Sequence, residues 1–231
     1  MSLVQIATGL QGAKLRKLGA LMLLAAAGLL VCMKVVAADT PDVTIEAVLI
    51  GSGLGNQLGG DDVAAETIRI KNASLRVDFD AGEGRRGRIL RRGSGHAWLL
   101  MSTSHRALPA DHVPIASMTR LDPKRPCWEP NLSCEKVNDR QVAGREAQGW
   151  RYRHAEQRGP GGTDSGVFWV DAQYGFLLSY KGKDLTGKAR RMETTSIQFA
   201  KLPDEDFAFP ESVRTDIERA DARAARLRGV K

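Results

Sequence analysis

The chain has 231 residues and a formal net charge of +7 at pH 7, from 34 basic and 27 acidic residues. Four of the basic residues and none of the acidic ones fall within positions 1–38, so removing that segment leaves only +3. The basicity of the whole chain therefore gives little support to a nucleic-acid partner. Residues 39–231 are numerous enough to form one domain with a hydrophobic core.

The N-terminal segment has the parts of a secretory signal peptide. Lys14, Arg16 and Lys17 precede an uncharged, mostly apolar run over 18–33, and small residues follow at 35–38. The uncharged run has 16 residues, fewer than the ~20 that an α-helix needs to cross a bilayer.

We therefore predict that 1–38 is a signal peptide, cleaved after Ala37 or Ala38, and that the mature protein is periplasmic. One alternative is an uncleaved segment that anchors the protein in the inner membrane, because 18–38 holds a single charge. Another is a lipid-modified Cys32.

Strand-like segments begin soon after the leader. Ile68 and Ile70 alternate with Arg69 and Lys71, the period-2 pattern of a half-buried strand. Similar patterns predict strands at 43–50, 66–70, 75–79, 88–90 and 97–101, with a glycine-rich loop at 51–62, a short helix at 113–121 and a proline-rich loop at 122–134.

Two cysteines remain in the mature chain, Cys127 and Cys134, and both lie in the proline-rich loop. A close pair in an oxidising compartment predicts a disulfide. Free thiols, a redox pair and a metal site are the alternatives, but redox pairs are more often spaced Cys-x-x-Cys and structural zinc needs four ligands. The sequence has no second Cys/His pair with suitable spacing, so we predict no metal and no cofactor.

Strand signals resume after position 137. Trp150 and Tyr152 alternate with Arg151 and Arg153, and turns recur about every 8–12 residues. This spacing favours a mainly β (α+β) domain with an antiparallel sheet or barrel over βαβ units. We place this domain at 39–210.

After Pro210, apolar residues at helical spacing predict an amphipathic helix or tail over 211–231 with a thin apolar stripe. Such a helix would lie on the domain, or alternatively serve as a contact for a partner.

Five arginines are concentrated in one short stretch, between Gly84 and Gly93. They form either a solvated hairpin end or a contact for an anion, such as lipid headgroups or an acidic protein partner. Nucleic acid is disfavoured because the aromatic residues of a stacking platform are missing. The cluster consists of Arg85, Arg86, Arg88, Arg91 and Arg92.

The sequence gives little support to catalysis. Ser133 and Lys136 match the spacing of a serine–lysine motif, but its companion motifs are absent. His105 and His112 follow a serine and an aspartate, yet neither has the i, i+4 spacing of a metal-binding helix. We predict a non-catalytic protein, with a hydrolase as the weaker alternative.

Taken in order, the β-rich segments over about 43–210 resemble the exported LolA/LolB-like group, which comprises periplasmic lipoprotein carriers and related proteins. The resemblance depends on patterned positions rather than catalytic residues. These are the hairpin 68–78, the strand Ala97–Leu100, the hairpin 142–152, the strand–turn–strand segment 168–178 and the closing Phe207-x-Phe209-Pro210.

This resemblance implies an incomplete antiparallel barrel, crossed by a few helices, that encloses an apolar cavity for a lipid or a lipoprotein acyl chain. The alternative is a regulatory module that senses an envelope protein without transporting lipid, because a fold does not fix a role. We expect a monomer. Candidates for lining the cavity, if they are not simply core residues, are Trp98, Leu100, Trp150, Tyr152, Phe168 and Phe176.

Overall fold

A computed structural model describes residues 40–51, 63–82, 84–104, 106–111, 120–129 and 132–229. The predicted signal peptide, most of the glycine-rich loop, His105, His112 and most of the predicted helix at 113–121 lie outside these described residues. Residues Thr40–Lys231 form one compact unit. In the part of the chain that is described, no helix is both long and apolar enough to cross a membrane.

The unit is built on one antiparallel sheet of 11 strands. The strands are β1 (Val43–Ile50), β2 (Val63–Lys71), β3 (Ser74–Asp80), β4 (Arg86–Arg91), β5 (Ala97–Met101), β6 (Ala107–Pro109), β7 (Cys134–Val142), β8 (Arg145–Tyr152), β9 (Ser165–Asp171), β10 (Leu177–Lys183) and β11 (Ala189–Phe199). Short 3-10 helices span Pro160–Gly162 and Asp204–Phe207, and an α-helix, α1, spans Glu211–Gly229.

The strand order is β6-β5-β4-β3-β2-β1-β11-β10-β9-β8-β7. Two meanders, β1 to β6 and β7 to β11, are therefore joined where β1 pairs with β11. The sheet does not close, because β6 and β7 are its two ends. The predicted fold class is confirmed: the protein is mainly β, with an open antiparallel sheet consistent with a half-barrel and a C-terminal helix.

Alternation along the strands decides which side chains enter the core. In β1, Val43, Ile45, Ala47 and Leu49 are buried while the residues between them are more exposed. Residues directly opposite one another on paired strands share a face, so the register carries this apolar face across the sheet. We call it the core face, and Glu66 of β2 is the charged residue buried within it.

The loop before β7 covers part of the core face. The Trp128 ring lies 5.3 Å from the Tyr152 ring and 5.6 Å from the Phe168 ring, in edge-on contacts. The predicted disulfide is confirmed, because Cys127 is bonded to Cys134, the first residue of β7. The disulfide holds Trp128 close to the strand and so helps to keep its indole over the core.

On the opposite face of the sheet, α1 packs against β5. Val213 and Ile217 are buried against Trp98, with Phe209 beside them. Among the side chains of α1 whose burial is described, those of Val213 and Ile217 in its first two turns are the buried ones, which fits the thin apolar stripe of this helix.

The same face also carries an ion-pair network centred on Asp78. Its carboxylate accepts hydrogen bonds from Arg69 at 2.7 Å, from Arg76 at 2.6 Å and from Arg88 at 2.6 Å. Burial alone would raise the pKa of Asp78, but the hydrogen bonds from Arg76 and Arg88 outweigh it and hold the pKa below its ordinary value. Asp78 therefore ties β2, β3 and β4 together across their solvent-facing side.

The disulfide gives the first testable prediction. Replacing both cysteines (Cys127→Ser with Cys134→Ser) should lower the free energy of unfolding by about 2–3 kcal/mol, because the cross-link limits the entropy of the unfolded chain. Urea denaturation of the oxidised protein and the variant measures the difference. Wild-type protein treated with a thiol reductant should match the variant, and equal stability of all three samples would contradict the prediction.

Candidate functional site

A groove of about 500 Å³ lies on the face of the sheet opposite the core, over β1, β9, β10 and β11. Three of its side chains are cationic, one is a carboxylate and one is an indole. Its lining residues are Val48, Ile50, Arg140, Trp169, Ser179, Tyr180, Lys181, Arg191, Met192 and Glu193. A volume of this size is within the usual range for ligand pockets.

Strand register places seven of these side chains in two parallel rows. In the first row, Trp169 stands opposite Ser179, Ser179 opposite Glu193, and Glu193 opposite Val48. In the second row, Lys181 stands opposite Arg191, which in turn stands opposite Ile50. Polar and apolar side chains therefore meet on one surface.

Arg140 of β7 closes one side of the groove. The pairing of β7 with β8 shifts register between Val137 and Arg140, and such a bulge re-aims the side chains of the strand. The Arg140 guanidinium lies 4.2 Å from the centre of the Trp169 ring. One of its amino groups also donates to Glu193 at 2.8 Å and to the Ser179 hydroxyl.

The bulge is held in place by Asp139. Its Oδ1 accepts hydrogen bonds from Lys136 at 2.6 Å and from the Gly149 backbone N–H at 3.0 Å. These two bonds lower the pKa of Asp139. The Trp169 indole N–H donates to the Asn138 carbonyl at 3.2 Å, so the bulge and the groove wall form one hydrogen-bonded unit.

The Ser179 hydroxyl of the groove has two acceptors. The Ser179 hydroxyl lies 2.7 Å from Glu193 Oε2 and 3.0 Å from the Met192 carbonyl, so both neighbours hold it in place. Lys181 and Arg191 supply positive charge next to the apolar side chains of Val48 and Ile50. Within the described ranges, no group of three or more His, Cys, Asp or Glu side chains is placed to hold a metal ion.

The six predicted cavity residues do not come together at one site. Trp98 and Leu100 belong to the cluster under α1, on the face opposite the core. Tyr152 and Phe168 pack with Trp128 in the core, with 1% and 0% exposure.

The other two candidates also lie apart from one another. Phe176 is fully buried beside Tyr174 and Phe199. Trp150 is partly buried and lies 4.9 Å from the Lys136 ammonium. A role for any of the six in ligand contact stays a prediction.

The arginine cluster is spread over the hairpin rather than gathered into one patch. Arg86 pairs with Asp80 at 2.7 Å, and Arg88 is part of the Asp78 network. Arg85 donates a hydrogen bond to the Ala81 carbonyl, and Arg91 donates one to the Ala73 carbonyl. Arg92 is exposed. Binding of an anion by these arginines stays a prediction.

The sequence patterns did not single out the groove residues as a site. Ser179 and Lys181, and likewise Arg191 and Glu193, are two residues apart and so share one face of their strands, which is a recognisable signal of a polar sheet face. The position of Arg140 has no such signal, because a bulge within a strand is not visible in the alternation pattern.

No protein-family model matches this chain, and no curated protein matches it in sequence. Among solved structures, the chain is similar to an uncharacterized conserved protein from Thermus thermophilus, with a TM-score of 0.50 and 8% identity over 74% of this chain and 87% of that one. It is also similar to a chain of the Pseudomonas aeruginosa MucA/MucB complex, with a TM-score of 0.45 and 14% identity. That match covers 75% of this chain but only 57% of the other.

A LolA superfamily protein from Nitrosomonas europaea is similar with a TM-score of 0.34 and 10% identity, over 74% of this chain and 90% of that one. At these identities the likeness concerns the fold alone and says nothing about the ligand or the partner of this chain.

The bulge beside the groove can be tested at Gly149. A Cβ there would lie 2.5 Å from the Asn138 carbonyl oxygen and 2.7 Å from the Trp169 indole nitrogen, so Gly149→Ala must displace the bulge. We expect a loss of about 1–3 kcal/mol in the free energy of unfolding and a shifted Trp fluorescence spectrum. In the control Gly95→Ala, the nearest atom would be the Arg92 carbonyl oxygen at 3.1 Å. An equal effect of the two substitutions would contradict the proposed close packing.

Proposed function

We propose that this protein is an exported, non-catalytic binding protein of the cell envelope and that the groove is its contact site for a protein partner. The leader-like segment 1–38 supports export. The disulfide between Cys127 and Cys134 is typical of an oxidising compartment. The hydrogen bonds that hold Ser179 favour a binding role over a nucleophilic one.

The observation that carries this proposal is the mixture of charges and apolar surface in the groove. Lys181 and Arg191 can pair with carboxylates, while Val48 and Ile50 offer apolar surface beside them. Oppositely charged surfaces guide association and give specificity. The groove therefore suits a segment of an envelope protein that carries both acidic and apolar side chains.

The free edge of β7 favours an extended segment over a compact one. Among the described strands, β7 ends the sheet, so the outer backbone groups of Cys134–Val142 have no neighbouring strand. An extended peptide can add to such an edge through main-chain hydrogen bonds. Because Arg140 extends from β7 over Trp169, this edge borders the groove.

Site-specific cross-linking tests the partner. A photoreactive amino acid at position 50, in the cell that makes the protein, should cross-link to an envelope protein through a segment rich in Asp or Glu. Charge reversal at Lys181→Glu and Arg191→Glu should reduce the yield at least tenfold, because it repels that segment.

Arg226→Glu is the matched control, because Arg226 is an exposed arginine of α1 that does not line the groove. It should leave the yield unchanged. Equal losses in both variants, or a cross-link to a segment without acidic residues, would contradict the proposal.

A second candidate function is the binding of a lipid or an acylated ligand on the core face of the half-barrel. Unsatisfied polar groups within the core favour it: the indole N–H groups of Trp128 and Trp150 are buried and have no hydrogen-bond partner among the described residues. Buried polar groups without partners are uncommon in proteins, and a bound molecule would satisfy them.

Native mass spectrometry and lipid extraction test this candidate on protein purified from the exporting host. A bound acyl species, together with saturable binding of a fluorescent fatty-acid probe, is the expected result. Protein that is purified without any bound lipid and does not bind the probe would rule out the lipid-binding hypothesis. The groove proposal would not be affected.

A further inference from the structure

Glu66 is the most unusual residue of the core face. It is 3% exposed, and neither of its carboxyl oxygens has a hydrogen-bond partner in the described structure. Its neighbours on the same face of β2, Ala64 and Ile68, are apolar and buried. A carboxyl in this setting costs stability, because its hydration is lost and not replaced.

A second unpartnered group lies in the same row. Ala47 of β1 stands opposite Glu66 on one side and opposite Thr194 of β11 on the other. Thr194 is 4% exposed, and its hydroxyl also lacks a hydrogen-bond partner among the described residues. Only the small Ala47 side chain separates the two in the row, so a carboxyl and a hydroxyl border the same part of the core.

The residues around Glu66 include aromatic side chains. Phe79 of β3 stands opposite Glu66. Burial is the main cause that raises the pKa of Tyr180 of β10, and the charge of Glu66 raises it further. Arg190 acts on Tyr180 in the opposite direction. Burial raises the pKa of Glu66 from 4.5 to about 8, so the carboxyl is protonated at pH 7 and can donate a hydrogen bond.

We propose that Glu66 and Thr194 form a buried polar site that hydrogen-bonds a neutral acceptor, such as an ester or amide carbonyl, carried by an otherwise apolar ligand. The apolar side chains around the pair favour the hydrocarbon part of that ligand, and the two polar groups recognise its carbonyl. This inference is independent of the groove. It rests on the second candidate function, the binding of a lipid or an acylated ligand, and it names the polar group of that ligand.

Two pyrene-labelled probes of equal chain length test the site: a long-chain methyl ester and the corresponding hydrocarbon. Wild-type protein at pH 6 should bind the ester at least tenfold more tightly than the hydrocarbon. Glu66→Leu should abolish this preference, and Thr194→Val should reduce it. Glu66→Gln should retain it, because the amide still donates.

The possible outcomes distinguish the Glu66–Thr194 site from the lipid-binding function and from the groove. Binding of both probes with no ester preference, or with the same preference in Glu66→Leu, would overturn the site and leave the lipid candidate standing. Binding of neither probe would overturn both. The Lys181→Glu and Arg191→Glu substitutions lie on the other face and should not alter the preference.

A stability measurement gives an independent readout of the protonated carboxyl. Because the pKa of Glu66 is higher in the folded protein than in the unfolded chain, unfolding releases a proton between pH 4.5 and about 8. Stability should therefore fall as pH rises through this window, with the unfolding constant of wild type rising about tenfold per pH unit relative to Glu66→Gln. A ratio that does not change with pH would show a carboxylate that is already charged and paired, and would overturn the site.

Discussion

The pairing of β1 with both β2 and β11 is the constraint on which the rest of the structure depends. It joins two meanders that would otherwise be separate sheets. Because side chains alternate along a strand, the register of β1 fixes both faces at once. Ile45 and Leu49 point into the core, and Val48 and Ile50 line the groove on the other side.

Both candidate sites therefore depend on this one strand. In the groove, Val48 stands opposite Glu193, and Ile50 stands opposite Arg191. On the core face, Ala47 lies between Glu66 and Thr194. In the β1–β2 pairing, which is regular, a shift of one residue would turn the apolar face of one strand away from that of the other. The β1–β11 pairing contains a one-residue shift between Glu46 and Ala47, which places Thr194 opposite Ala47.

Period-2 alternation and compartment chemistry were enough to predict the strand-rich architecture and the disulfide. Neither pattern shows which face of a strand is covered by other parts of the chain. Trp98, which lies under α1, was therefore grouped with the core residues Tyr152 and Phe168. By its position in the strand, Glu66 shares the face of Ile68 and Ile70, but the sequence patterns did not single it out. The structure shows that its carboxyl has no hydrogen-bond partner among the described residues. The bulge that directs Arg140 interrupts a regular pattern, which is why the pattern did not reveal it.

The β1–β11 pairing also has a consequence for how the chain acquires its fold. Val43 pairs with Phe199, so the first strand finds one of its neighbours only when almost the whole domain is available. Contacts so distant in sequence slow folding, because a long loop must be closed before they form. In the proposed export the N-terminus emerges first, so the backbone N–H and C=O groups of β1 that face β11 stay unpaired until the last strand arrives. A chaperone that binds the unpaired strand would be most useful during this interval.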